Sequence, residues 1–290
     1  MPAVRPWYVI PALGLASAAT AFAVDQRIWV ALALGLCGAS LAAAIRAFLG
    51  PSPVAAVASA GGAALGVLGL IALAPHAAIR EALAGAAALF AISELARAKQ
   101  PNESPLPAIG AALLAGALDP SYVGLVAVSG FAWLRSPVAR PRGAIVLPIA
   151  GLLAIALACT CALVYARTSL WHAWLGHPTH PRALVATLTR TGDLVGPMTA
   201  FAAVVGLASC LAHGRFAAAA VATVFALTAL ASLAGGFVAP AAPLVAALGA
   251  GVAIGRLAAL VRWPVGQAFV GATAGFLLVV VPAWTLIVPA

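Results

Sequence analysis

The chain has few charged residues, few aromatic residues and little polar sequence of any length. Of its 290 residues, 7% are charged and 7% are aromatic, whereas a soluble domain is roughly a quarter charged. It contains six Asp and Glu residues, and 64% of its residues are hydrophobic. With a mean hydropathy of +1.13, this composition excludes an ordinary soluble domain and indicates a protein dissolved in a lipid bilayer.

Familiar catalytic motifs are missing as well. The sequence has no nucleophile elbow, phosphate-binding loop, dinucleotide fingerprint or zincin motif. The net charge of +9 does not indicate nucleic acid, because the Lys and Arg residues are scattered one to three per loop. The four cysteines fall inside apolar runs and are interpreted as small buried side chains rather than disulfide or metal ligands. They are Cys37, Cys159, Cys161 and Cys210.

Apolar runs of membrane-spanning length fill the chain, since a spanning helix needs ~20 mostly apolar residues. About eleven runs are candidates: 7–24, 28–45, 53–73, 79–96, 105–118, 121–134, 143–166, 194–212, 215–233, 240–260 and 264–288. The short runs 105–118 and 121–134 are either two spans or one broken, re-entrant element around Asp119-Pro120. We therefore predict an all-α, polytopic membrane helix bundle of about eleven transmembrane helices, which forms a single domain over residues 1–290.

Basic residues predict the orientation. Ten of the fifteen Lys and Arg residues fall on the side of the N-terminus when loops are assigned alternately. The positive-inside rule then places the N-terminus inside and the C-terminus outside. The Ala, Arg and Pro content is typical of a GC-rich bacterial genome, so we expect the bacterial cytoplasmic (inner) membrane. The longest loop, 167–192, would face outward, with Trp171 and Trp174 in the interface.

Small residues dominate the spans, and three glycine pairs are spaced four residues apart. They are Gly62 and Gly66, Gly251 and Gly255, and Gly271 and Gly275. Each pair puts two glycines on one helix face, where backbones can approach closely. We interpret them as packing sites within the bundle rather than as a dimer face.

Each carboxylate is a candidate functional group, because an ionisable side chain at membrane depth is costly. Glu103 lies in a polar inner loop, and Glu94 is expected to pair with Arg97 one turn later. The other four would reach the outer interface: Asp25, Glu81, Asp119 and Asp193. An acid there also complements a helix N-terminus, and Asp-Pro also starts a turn, so a structural role is the alternative for each.

The loop 167–192 carries the densest set of polar and aromatic candidates. His177 and His180 have metal-ligand spacing, but Pro178 and Pro181 break the helix that would align them. We therefore predict no metal site there. Arg side chains in the same loop suit a phosphate geometrically; an interfacial anchor is the alternative.

Four segments follow the order of features in one enzyme family. Arg27 to Leu49 is a span that ends in a short basic stretch, and His76 to Arg97 is a span that begins with an acid, Glu81. Gly110 to Leu134 is a glycine-rich span followed by a second one after a short outer turn, and Trp174 to Asp193 carries an outer-loop pattern of Trp, Gly, Pro and Arg. In this order the chain resembles the GT-C superfamily of polytopic membrane glycosyltransferases, bacterial protein-O-mannosyltransferase-like branch.

The resemblance implies a GT-C-like fold and transfer of a sugar from a polyprenyl-phosphate donor at the outer face. The first outer loop is reduced to Asp25-Gln26-Arg27, so Asp25 would be the catalytic carboxylate, which deprotonates the acceptor or helps to bind a divalent metal. Arg182 or Arg190 would contact the departing lipid phosphate. The substrate-binding residues would be Glu81, Asp119, Trp174, His177, Arg182 and Arg190. A degenerate, non-catalytic relative has the same pattern.

Two further functions fit the sequence. A small-solute transporter of the ten-span, Ala- and Gly-rich type has this length, although we find no internal repeat. A structural subunit of a membrane complex would explain the sparse charge. The predicted partners are membrane lipid and, for the enzyme, the polyprenyl-phosphate sugar; the cofactor and the oligomeric state stay open.

Overall fold

A computed structural model gives the architecture of about half of the chain. It describes residues 28–50, 52, 55, 58, 60–63, 78–97, 106–135, 197–235, 241–263, 265–271 and 273–274. All regular elements in these ranges are helical. The helices are α1 (Ile28–Leu49), α2 (Ala78–Arg97), α3 (Leu106–Leu118), α4 (Gly124–Arg135), α5 (Pro197–Leu211), α6 (Arg215–Gly235) and α7 (Ala241–Ala259), with a 3₁₀ turn at Pro120–Tyr122.

The predicted all-helical class is thus confirmed over the described residues, and the observed helix ends lie close to the predicted ones. Charges, prolines and glycines end the apolar runs, and they end the helices too. For example, Gly50 follows α1 with φ of 78°, and its N–H donates to the Arg46 carbonyl at 2.8 Å. This left-handed glycine cap is a common helix stop. The expected count of about eleven spans is not established, because two of these helices, α1 and α7, are long and apolar enough to cross a membrane.

Helices α1 and α2 pack against each other and run parallel. The guanidinium groups of Arg46 and Arg97, near their C-terminal ends, lie within electrostatic range of each other. Halfway along, a Cβ on Gly85 of α2 would lie 3.5 Å from the Cys37 sulfur of α1. Because the C-terminal end of α1 lies beside that of α2, and the middle of α1 beside the middle of α2, the two helices run in the same direction.

Helix α7 packs beside α1 through a glycine groove. Side chains on Gly251 and Gly255 would meet Ile45 and Leu49 of α1, respectively. The two aliphatic side chains and the two glycines share the same four-residue spacing, so one pair fits over the other. The predicted role of the Gly251–Gly255 pair in packing within the bundle is confirmed, whereas Gly66 and Gly275 lie outside the described residues.

Helices α5 and α7 approach until their backbones touch. A Cβ on Gly206 of α5 would collide with the Gly249 carbonyl of α7, and a Cβ on Gly249 would collide with the Ala203 carbonyl. Cys37 and Cys210 are fully buried and free, as the sequence predicts for small apolar side chains; Cys159 and Cys161 are outside the described ranges.

We expect Gly206→Ala to destabilise the bundle, because the added methyl group meets a backbone carbonyl that cannot rotate away. Overpacking of this kind costs about 1–3 kcal/mol. Gly110→Ala is the matched control, since nothing lies within 4 Å of its Cβ position and Ala favours a helix by up to about 1 kcal/mol. Thermal unfolding in detergent measures both; equal melting temperatures for the two variants would contradict the backbone contact.

Candidate functional site

Asp119 forms the break between α3 and α4. Its backbone N–H donates to the Ala115 carbonyl at 2.8 Å and closes α3, and its carbonyl accepts from the Tyr122 N–H at 3.1 Å. Its side-chain Oδ1 accepts from the Ser121 N–H at 2.8 Å. A carboxylate that caps its own turn in this way explains why the apolar run stops here.

Glu81 lies in the first turn of α2, as the sequence predicts for an acid that complements a helix N-terminus. Its Oε1 accepts from Nη2 of Arg80 at 3.3 Å. The glutamate is buried, and its second oxygen, Oε2, has no hydrogen-bond donor in the part of the chain that the structure describes. A buried carboxylate oxygen without a donor is a costly arrangement that a ligand, water or ion would relieve.

Arg80 acts on both carboxylates, on Glu81 through the 3.3 Å ion pair and on Asp119 through its charge at longer range. Helix α3 returns antiparallel to α2, and Asp119 at its end comes within electrostatic range of Arg80. We call Arg80, Glu81, Asp119, Ser121 and Tyr122 the break cluster. Apart from Arg80, whose side chain is 43% exposed, all of these residues are buried. Arg80 is therefore the link between the two predicted outer acids that the structure describes, Glu81 and Asp119.

The turn that follows Asp119 packs beside the middle of two neighbouring helices, whereas Arg80 and Glu81 of the same cluster lie in the first turn of α2. Tyr122 is within electrostatic range of both Asp119 and Cys37, and Cys37 lies near the middle of α1. On the other side, a side chain on Gly124 would meet Thr223, in the interior of α6. Helices α3 and α4 have 13 and 12 residues, or about 20 and 18 Å at 1.5 Å per residue. Both are shorter than the ~30 Å hydrocarbon core of a bilayer, which agrees with one broken element rather than two complete spans.

Two more buried hydroxyl groups lie on the helices around the break. Ser129 Oγ on α4 and Thr228 Oγ1 on α6 have no hydrogen-bond partner among the described residues. Helix α4 packs against α3 and α6, and α6 also packs against the 3₁₀ turn. Unsatisfied polar atoms on three neighbouring helices make this region the most polar part of the described interior.

The chemistry of the cluster favours a cation. Glu81 pairs with the Arg80 guanidinium, and Asp119 feels the same guanidinium only at longer range. A positively charged ligand, or a proton, would therefore balance the charge of Asp119. The side chains of the described residues form no group of three or more His, Cys, Asp or Glu that could hold a metal ion.

The family resemblance predicts binding roles for Glu81 and Asp119, whereas no sequence pattern predicts one for Ser121 or Tyr122. Both residues directly follow Asp119-Pro120, and the turn that this pair predicts is the sequence feature that indicates them. The predicted pair of Glu94 and Arg97 is confirmed, with 3.1 Å between Oε1 and Nη1. The remaining predicted site residues lie outside the described residues: Asp25, Trp174, His177, Arg182 and Arg190.

Comparison of the chain with protein-family models, with curated proteins and with solved structures found no match. The GT-C resemblance and the polyprenyl-phosphate sugar donor therefore stay predictions.

We expect Asp119→Ala to lower the free energy of unfolding by about 1–3 kcal/mol, because it leaves the buried Ser121 N–H without an acceptor. Asp119→Asn keeps an oxygen at this position and should cost less. Glu94→Gln removes a partly exposed ion pair and should change stability by less than about 1 kcal/mol. Chemical or thermal unfolding in detergent measures the series; an Ala variant as stable as the Asn variant would show that the turn bond does not matter.

Proposed function

We propose that the chain is a polytopic inner-membrane transporter whose break cluster binds a small cation or a cationic solute. The observation that carries this proposal is the buried Oε2 of Glu81, which lacks a donor and belongs to a cluster with two carboxylates and one arginine. Ionisable groups at membrane depth are rarely retained without a role in binding or proton relay.

The outer surface of the helices supports a membrane location. Large apolar side chains that are more than half exposed occur on six of the described helices. They include Leu32 and Leu36 on α1, Leu114 on α3, Phe131 on α4, Phe201 and Val204 on α5, Phe225 on α6 and Leu257 on α7. Such a surface is unfavourable in water over so wide an area. In lipid it is the expected exterior, and close glycine packing then holds the helices together.

The proposed orientation has support in the placement of arginines. Arg46 and Arg97 lie at one end of the parallel pair α1 and α2, and Arg80 lies at the other. The positive-inside rule predicts Arg46 and Arg97 on the inner side and Arg80 on the outer side. We therefore propose that the break cluster opens toward the outer face, with the N-terminus inside and the C-terminus outside.

Transport fits the site better than the two other predicted functions. Discontinuous helices that bring charged groups to membrane depth are typical of secondary transporters, because irregular backbone there lines a path for the solute. The glycosyltransferase hypothesis depends on Asp25, Arg182 and Arg190, which lie outside the described residues. A purely structural subunit gives no reason for a buried carboxylate oxygen without a donor.

The test is electrical recording from the purified full chain in liposomes on a solid support. Jumps in proton, sodium, potassium and methylammonium concentration are applied in turn. We expect a transient current for at least one of these cations, because binding at the break cluster moves charge into the bilayer. Asp119→Asn should reduce that current at least tenfold.

Glu94→Gln is the matched control, since it also removes one carboxylate from a helix but lies outside the break cluster. Its current should equal that of the unmodified chain. Correctly inserted protein that gives no current with any of the four cations, or a current unaffected by Asp119→Asn, would overturn the proposal.

A further inference from the structure

We propose that the end of the bundle opposite the break cluster binds the phosphate headgroup of an anionic phospholipid. We call this surface the arginine end; it consists of Arg46, Arg97, Arg215 and Arg256. The inference requires a membrane location but not transport, so it stands or falls apart from the proposed cation site.

Independent contacts bring these four arginines to the same end. Arg46 and Arg97 lie within electrostatic range of each other at the ends of α1 and α2. The ring centroids of Phe48 and His213 are 5.1 Å apart, which places the turn between α5 and α6 beside the end of α1. Arg215 begins α6 two residues after that histidine.

Helix α7 supplies the fourth arginine. Gly255 contacts Leu49, the last residue of α1, and Arg256 is the next residue along the chain. Arg256 also lies within electrostatic range of Cys210, at the end of α5. Four helices that are distant in sequence therefore present cations to one surface.

Charge balance at the arginine end favours a negative partner. Of the described carboxylates, Glu94 alone lies at this end, where it pairs with Arg97. The whole chain has six Asp and Glu residues against fifteen Lys and Arg residues, so its own acids cannot neutralise its basic residues.

Arg215 is the arginine that helix stability does not explain. Arg46, Arg97 and Arg256 lie in the last turns of their helices, where a cation complements the helix dipole. Arg215 is the first residue of α6, where the dipole disfavours positive charge. An anion bound at this point would gain both the guanidinium and the N-terminal N–H groups of α6.

The position of the surface favours a lipid over a soluble anion. Arg215 and Arg256 are exposed, and they lie beside the outward-facing apolar surface rather than in an enclosed site. Four residues after the end of α7, Trp263 is 76% exposed, as expected for an aromatic side chain in the headgroup belt. Basic surfaces between helices on the cytoplasmic side are typical sites for anionic lipid headgroups.

The experiment measures lipid retention by the full chain in neutral detergent, using native mass spectrometry with phosphatidylglycerol and phosphatidylcholine. We expect phosphatidylglycerol to bind at least about tenfold more tightly at low salt, and this preference to shrink at high salt. The double variant Arg215→Gln with Arg256→Gln should weaken phosphatidylglycerol binding by roughly 10- to 30-fold, at about 1 kcal/mol per basic residue. Replacing both residues by Lys keeps the charge and should retain most of the binding.

Equal binding of the two lipids by the unmodified chain, or unchanged binding by the Gln variant, would overturn the inference. Inorganic pyrophosphate that displaces phosphatidylglycerol at equal concentration would assign the surface to a free phosphate compound instead. Melting temperatures without anionic lipid verify that the variants fold. If the Gln variant does not fold, the inference is tested by the lipid preference of the unmodified chain and by the salt dependence of that preference.

Discussion

The need to compensate charge inside an apolar bundle governs the arrangement around Asp119. A carboxylate buried among Ala, Leu and Val side chains is stable only with hydrogen bonds and a nearby cation. The Ser121 N–H supplies a hydrogen bond to Asp119, and Arg80, from the start of another helix, supplies the positive charge. Helices α2 and α3 must therefore keep their antiparallel register, because a shift of one turn would separate Arg80 from Asp119.

Close contact at glycines fixes how α1, α5 and α7 pack against one another. In the proposed membrane location, lipid gives helices no hydrophobic reason to associate, so complementary shape would hold them together. Gly249 and Gly206 bring α5 and α7 into backbone contact, while Gly251 and Gly255 receive Ile45 and Leu49 of α1. The same contacts bring the C-terminal ends of these helices side by side. The arginine end therefore lies at one end of the bundle, and the break cluster lies nearer the opposite end.

The sequence predicts the positions of the helices well and their mutual rotation poorly. Helix ends follow from charge, Pro and Gly; the sequence predicts α5 over 194–212, and the structure has it over Pro197–Leu211. The break at Asp119 and the pairing of Glu94 with Arg97 are also local features. That Arg80 faces Asp119, or that Tyr122 lies near Cys37, follows from helix rotation, which no periodicity predicts when helices are apolar on every side.

The central claim is that the break between α3 and α4 lies inside the membrane. A spin label at Val123→Cys tests it most directly, since Val123 is 40% exposed beside the break cluster and a label there need not disturb the buried groups. The four native cysteines are first replaced. Spin labels at Val123→Cys and at Phe90→Cys on α2 should collide more often with oxygen than with a water-soluble nickel chelate. A label at Trp263→Cys should collide more often with the chelate than with oxygen. A label at Val123→Cys with the chelate accessibility of the Trp263→Cys label would place the break in water and contradict the account.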